Sequence, residues 1–534
     1  MNARLTALFV AGLLINAAML VWASGDALTP SQSLTVKHPA IFVPIVVSTS
    51  GANNSFYTSE LTITNRGFSD VALNFNYVAA FGGGTGTAVD RLPARHQRVI
   101  PDAIVYLRSL GIPIPNSGNQ GGTLSVRPSS LQPPEIAITV RTTTPVAGGR
   151  AGLSYAGIPT ASLLAGPSYL CGLRQNAADR SNVAIQNAGV AKDGNIVLRL
   201  TVFSGDSTEA HTLTDEVLSP GSFKQFSSIL VSGGLALTNG YVRIQRVSGK
   251  APYYAYAVVN DQANSDGSFV APVLEDTLRS ANRQIVPVIA ETRQFASELI
   301  ITNVGASDKV MDFSYLADGI QSSGSNANFS VVIEAGRQLM IPDVVQYIRE
   351  HSGQKIGPKG AGFAGTLMGS LAGESSIFLG ARTSTAGAGG RFGVCYSAVV
   401  RGDSSPADAA WIYGLQQNEE TRSNVALVNI GQLGPVREVY SIDLSDGARS
   451  VYGIDLFDGD TGLKVNTLSG IKLDAFRWIQ IDMIFARFAP ATRQGYARIY
   501  RTSGSDNFVA YGVINDGGQA GERTGDGAFV LSAP

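Results

Sequence analysis

The chain has 534 residues, too many for one hydrophobic core and enough for several domains. Apolar side chains make up 44% and charged ones only 15%, which supplies real cores and excludes general disorder. Lys plus Arg (40) balances Asp plus Glu (41) with no long run of one sign, so bulk charge gives no case for nucleic acid or anionic lipid as a partner.

Residues 1–23 read as a secretory signal peptide. Arg4 supplies the positive start, and the apolar run from Ala7 to Ala23 is broken only by Gly12 and Asn16. Val21 and Ala23 stand at the −3 and −1 positions of a cleavage site before Ser24. An uncleaved membrane anchor is the alternative. No later apolar run reaches the roughly 20 residues that span a bilayer. The expectation is a secreted or cell-surface protein with no membrane span in the mature chain. A polar lead-in, residues 24–40, follows with Pro30 and Pro39.

The rest of the chain repeats. Ser59-Glu60-Leu61-Thr62-Ile63-Thr64-Asn65-Arg66-Gly67 returns as Ser181-Asn182-Val183-Ala184-Ile185-Gln186-Asn187-Ala188-Gly189. It returns again as Ser297-Glu298-Leu299-Ile300-Ile301-Thr302-Asn303-Val304-Gly305 and as Ser423-Asn424-Val425-Ala426-Leu427-Val428-Asn429-Ile430-Gly431. Four copies at a spacing of about 120 residues define four related units. The boundaries fall at residues 41–160, 161–276, 283–403 and 408–534. Within each copy the aliphatic residues alternate, as on a half-buried strand. Asn65, Asn187, Asn303 and Asn429 read as turn residues that end that strand, in a setting where Asn and Gly tolerate positive φ.

The first and third units match each other. Phe42-Val43-Pro44-Ile45-Val46 corresponds to Ile285-Val286-Pro287-Val288-Ile289 as an opening strand. Ile100-Pro101-Asp102 and Ile341-Pro342-Asp343 each open a short helix, since Pro suits a first helical turn. The second and fourth units match more closely still. Gly240-Tyr241-Val242-Arg243-Ile244 corresponds to Gly495-Tyr496-Ala497-Arg498-Ile499, and Tyr256-Ala257-Val258-Val259-Asn260-Asp261 to Tyr511-Gly512-Val513-Ile514-Asn515-Asp516. The fourth unit carries about twelve extra residues after Gln432. The order is thus A-B-A′-B′. The fold class is all-β: four tandem β-sandwich units with a short helix in each A unit. The charged stretch from Asp276 to Arg283 reads as a hinge between the two pairs.

The strand ending in Asn-x-Gly, followed by a second alternating strand such as Val71, Leu73, Phe75 and Tyr77, resembles the early strands of bacterial immunoglobulin-like β-sandwich domains. The whole plan resembles tandem-repeat secreted bacterial proteins. The resemblance covers nearly all the mature chain. It implies an extracellular structural or binding role and carries over no catalytic residues.

Several constellations could carry chemistry. Gly360-Ala361-Gly362-Phe363-Ala364-Gly365 has the glycine spacing of a dinucleotide loop, but a helix precedes it and a strand follows, so it reads as a loop. Arg401-Gly402-Asp403 reads as a linker turn. Asp261 with Asp266, Asp516 with Asp526, and the group Asp455, Asp458, Asp460 could bind Ca²⁺, though ordinary hairpins require the same residues. His38, His96, His211 and His351 share no repeat position and no metal-ligand spacing. Cys171 and Cys395 fall at non-equivalent places, which excludes a repeated disulfide. Tyr241, Tyr253, Tyr254, Tyr256, Tyr496, Tyr500 and Tyr511 could form a sugar-stacking face or belong to the core. Arg141, Arg243, Arg382 and Arg498 read as solvated strand residues or partners of carboxylates.

The leading expectation is a non-enzymatic exported protein with a surface, scaffolding or adhesion role, without a cofactor, and with an unknown protein or glycan as partner. A carbohydrate-binding protein using exposed tyrosines of the second and fourth units is the first alternative. A secreted hydrolase with a site between units is the second.

Overall fold

The computed structural model describes residues 39–129, 135–319, 326–353, 356–387, 389–400, 409–431 and 450–532. The leader, most of the lead-in, His38, Arg401-Gly402-Asp403 and the extra residues 432–449 lie outside them. The chain is mostly strand, 59% against 8% helix, in several antiparallel sheets, which is the all-β class expected.

The first repeat forms one nine-stranded sheet. Its main order is Gly86–Leu92, Val71–Phe81, Gln120–Ser129, Ile41–Ser50, Phe56–Asn65, Ile136–Val146, Gly149–Ala156. The third repeat has the same order with Asn326–Ile333, Lys309–Gly319, Phe363–Ser370, Arg283–Glu291, Phe295–Asn303, Ile377–Gly387 and Gly390–Ser397. Alternation does the work: Val71, Leu73, Phe75 and Tyr77 are buried while Asn76 faces solvent. The second repeat instead divides into a six-stranded and a four-stranded sheet, and the fourth into two four-stranded sheets. The cause lies at the end of the first strand. Ser48, Thr49 and Ser50 continue onto Thr58, Tyr57 and Phe56 and join the two halves of the sheet. In the second repeat the chain turns away at Gln175, whose N–H goes to the Thr238 carbonyl (2.9 Å).

Each first strand is kinked at one place. The ladder shifts register between Val43 and Val46, Leu170 and Leu173, Val286 and Ile289, and Ile412 and Leu415. A bulge tolerates what a regular ladder does not, which explains Pro44 and Pro287 in the first and third repeats. In the second and fourth repeats the bulge carries Gly172 (φ 81°) and Gly414 (φ 76°), a backbone angle that favours glycine.

The two expected helices are Ala103–Ser109 and Val344–His351. Asp102 and Asp343 cap them, accepting from the N–H of Val105 (3.0 Å) and Gln346 (3.1 Å). The sequence reading placed no helix in the other repeats. The structure adds Ile484–Phe488 in the fourth and a 3-10 segment, Ile229–Gly234, in the second, each burying its first two residues. The stretch read as a hinge holds another helix, Glu275–Ser280. Glu275 bonds Arg243 (2.8 Å), Leu278 is buried, and its carbonyl accepts from Ser376 (2.9 Å). Two buried apolar side chains, Leu278 and Ala281, and these polar bonds anchor the segment.

The described residues pack as one compact unit. Apolar clusters cross the repeat boundaries. A single cluster runs through the first and second repeats. Ile285 and Met368 of the third meet Val428 and Tyr511 of the fourth. Tyr169, Cys171 and Tyr241 of the second meet Ile300 and Phe378 of the third.

Candidate functional site

The repeated motif is a cross-link. Ser59, Ser181, Ser297 and Ser423 accept through Oγ from the first-strand N–H of Val47 (2.9 Å), Arg174 (2.8 Å), Ala290 (2.8 Å) and Gln416 (2.8 Å). Asn65, Asn187, Asn303 and Asn429 are buried. Each Oδ1 accepts from the glycine N–H two residues on, at 3.0, 2.9, 2.9 and 2.9 Å. Each Nδ2 donates to the last carbonyl of another strand, Leu92, Leu218, Ile333 or Leu473. None of these asparagines has positive φ, and of the four glycines only Gly431 does. The side-chain amide, not backbone tolerance, therefore selects Asn. Glycine follows because a Cβ at Gly67 or Gly305 would stand 3.1 Å from the asparagine Oδ1.

The other sequence candidates disperse. Tyr241, Tyr253, Tyr254, Tyr256, Tyr496 and Tyr511 are buried and Tyr500 half-buried, so no flat exposed tyrosine face exists among them. The Nδ1 of His96 lies 2.7 Å from the Ala94 carbonyl oxygen, and His351 stacks on Tyr347. His211 is exposed on its strand. Among the described residues, no group of three or more His, Cys, Asp or Glu side chains could hold a metal ion. Asp455 faces Lys464 (3.5 Å) and Arg498 (3.9 Å), and Asp458 accepts from the N–H of Asp460 and Thr461. Gly360 and Gly362 turn at φ 80° and 84°, with the Gly360 N–H on Glu291 (3.1 Å) and a strand following. Both cysteines are free; burial pushes the Cys171 thiol up to about 12 and raises Cys395 as well.

The second repeat meets the third as the fourth meets the first, as about a two-fold axis. The bulge glycines donate outward, Gly172 to Gln338 Oε1 (2.7 Å) and Gly414 to Gln97 Oε1 (2.9 Å). Arg382 is buried and donates to Asp179 (3.0 Å) and Ser268 (3.1 Å). Its counterpart Arg141, also buried, faces Glu60 at 3.7 Å. Arg174 forks onto Glu298 (2.7 Å for one of the two bonds), whereas Gln416 donates to Glu60 (2.7 Å). Of the four strand arginines, Arg141 and Arg382 are thus buried at the seams, Arg243 pairs with Glu275 within its own repeat, and Arg498 is 40% exposed beside Asp455, so each faces a carboxylate.

Four edge strands, Gly149–Ala156, Gly267–Val270, Gly390–Ser397 and Gly527–Leu531, close around the axis. Two acids meet there. The Gly152 N–H donates to Asp266 Oδ1 (3.1 Å) and to Asp526 Oδ2 (2.9 Å), and Gly393 donates to Asp266 Oδ2 (2.9 Å). Burial pushes the Asp266 carboxyl up to about 7 against the pull of Arg382. Asp526 is raised well above the usual range, by burial first and then by Asp266 beside it.

Two clefts flank this axis, one between the first and second repeats and one between the third and fourth. They share their walls: Tyr155 and Tyr256 in one are Tyr396 and Tyr511 in the other. They share their polar groups too: Arg180, Asn182 and Asn260 in one, Arg422, Asn424 and Asn515 in the other. Strand register fixes these sets, with Arg180 opposite Asn260 and Arg422 opposite Asn515. The first cleft holds about 830 Å³ and the second about 250 Å³. Sequence reasoning missed them. The available signal was Arg-Ser-Asn at residues 180–182 and 422–424, where the other two copies read Thr-Ser-Glu at 58–60 and Ala-Ser-Glu at 296–298.

No helix among the described residues is long and apolar enough to cross a membrane. No family model and no curated protein matches this chain.

Proposed function

We propose that the chain is a non-enzymatic exported surface protein with a scaffolding or adhesion role, built from four immunoglobulin-like β-sandwich units. The carrying observation is the pair of clefts with the same aromatic walls and the same Arg, Asn and Asn, held apart by the packed seams, one of which buries paired charge between the second and third repeats. Rigid seams suit a scaffold because they fix the spacing of what it holds, and a cleft of repeated design suits binding. Beads coated with the purified protein are expected to adhere saturably to immobilised gelatin or alginate, unlike beads coated with heat-unfolded protein. Equal adherence, or none to either surface, would count against the reading. Fusion of residues 1–30 to a reporter tests export: the exported product should begin at Ser24.

A carbohydrate partner draws on the aromatic walls Tyr155 and Tyr256 rather than on an exposed tyrosine face. Uptake of neutral oligosaccharides by the clefts, followed by tyrosine fluorescence, separates that reading from a protein partner.

A further inference from the structure

The two clefts differ in one loop. The fourth repeat runs from Asp516 to Asp526 before its last strand, and the second from Asp261 to Asp266, so the former loop is five residues longer. The same backbone bond closes both: Asp516 donates to the Asp526 carbonyl and Asp261 to the Asp266 carbonyl, each at 2.8 Å. The extra length folds over Arg422. Its Nη1 donates to the carbonyls of Asp516 (3.1 Å), Gly517 (2.8 Å) and Gln519 (3.1 Å), with Gly517 turning at φ 99°. Arg180 holds the matching place in the larger cleft. Among the described residues no carbonyl or carboxylate bonds its guanidinium, because the shorter loop ends before reaching it.

We propose that the cleft between the first and second repeats takes a tight, glycine-containing turn of a partner polypeptide, whose backbone carbonyls cap Arg180 as the chain's own loop caps Arg422. The fourth repeat thus carries in cis what the second receives in trans. A guanidinium has five donors and no acceptor, so several carbonyls converging on one turn suit it better than a single point charge does. A turn closed by its own backbone bond loses little freedom on binding. Tyr57, Tyr155 and Tyr256 give its apolar side a wall, and Asn182 and Asn260 flank the arginine. This inference rests on the surface-binding reading and names its partner class.

The probe is a synthetic peptide with the sequence of residues 516–526, cyclised end to end, titrated into the purified protein by calorimetry. Alginate oligosaccharide, an acidic sugar chain, is the parallel arm. Saturable peptide binding is expected, weakened about ten-fold or more in Arg180→Ala, a change that breaks no side-chain hydrogen bond or ion pair among the described residues. Peptide binding that Arg180→Ala leaves unchanged overturns the inference. Arg180-dependent binding of the oligosaccharide alone also overturns it, while leaving the surface-binding reading intact. Binding of neither probe overturns the inference, and the bead assay above then decides the broader reading separately.

Discussion

Asn303 shows what one side chain does in this architecture. Its Oδ1 holds the Gly305 N–H (2.9 Å) and its Nδ2 the carbonyls of Ser307 (2.9 Å) and Ile333 (3.0 Å), the last of these bonds fully buried and the other two partly so. Asn303→Ala leaves those groups unsatisfied, at about 1–3 kcal/mol by the usual cost of an orphaned buried partner. Urea unfolding should show the loss as a lower midpoint with the slope unchanged. Asp266 and Asp526 give a second prediction at this scale. The Asp266 carboxyl is raised to about 7 in the fold, against about 3.9 unfolded, so the folded state binds the proton more tightly. That contribution is fully present below the unfolded value and is lost as pH rises through the folded one. Asp526→Asn removes one of the two adjoining charges. It should flatten the fall in stability between about pH 4 and pH 7, as read by melting temperature across that range. The four asparagines stood out in the sequence because they recur; their role as cross-links did not, because the acceptors Leu92, Leu218, Ile333 and Leu473 lie on other strands.

Strands and seams set the next scale. Four edge strands cover one another at the axis, which removes open edges that could pair with other chains. Gly149 (φ 155°) and Gly390 (φ 152°) open two of them against Asp516 and Asp261. A Cβ at Gly149 would stand 2.0 Å from Asp516 Oδ2. Gly149→Ala should therefore lower the melting temperature more than Gly148→Ala, whose Cβ meets nothing within 4 Å. The seams are unequal. Asp179 partners buried Arg382, and removing it as Asp179→Ala should cost about 3–5 kcal/mol, the usual effect of leaving one charge of a buried pair alone. At the other seam Thr421 stands where Asp179 does, and both Thr421 Oγ1 and Arg141 Nε are buried without a hydrogen-bond partner among the described residues. Thr421→Asp should stabilise the protein by about 1 kcal/mol in the same denaturant assay, and a destabilisation would contradict the equivalence of the seams. Strand identity was legible because alternation has a period; the seam was not. Glu60 or Arg141 reads as solvated from one sequence, since alternation cannot tell a face turned to water from one turned to another repeat. The same limit hid the clefts: Arg180 and Asn182 have the period of any strand face.

At the scale of the whole molecule, the repeats are bound into one unit and not strung on hinges. The duplication was plain in the sequence, and the packing was not. The first half of the chain keeps Glu60, Gln97, Arg141, Arg174 and Asp179, one full set of seam groups for each side of the axis. A fragment of residues 39–282 should therefore form a homodimer by light scattering, with its two copies placed as the two halves are. The seams, with the buried Asp179–Arg382 pair in one of them, lock the repeats into a single cooperative body. Differential scanning calorimetry of the native chain and of Asp179→Ala tests it most directly. One transition is predicted, shifted as a whole to lower temperature by the substitution; separate transitions, of which only one moves, would contradict it.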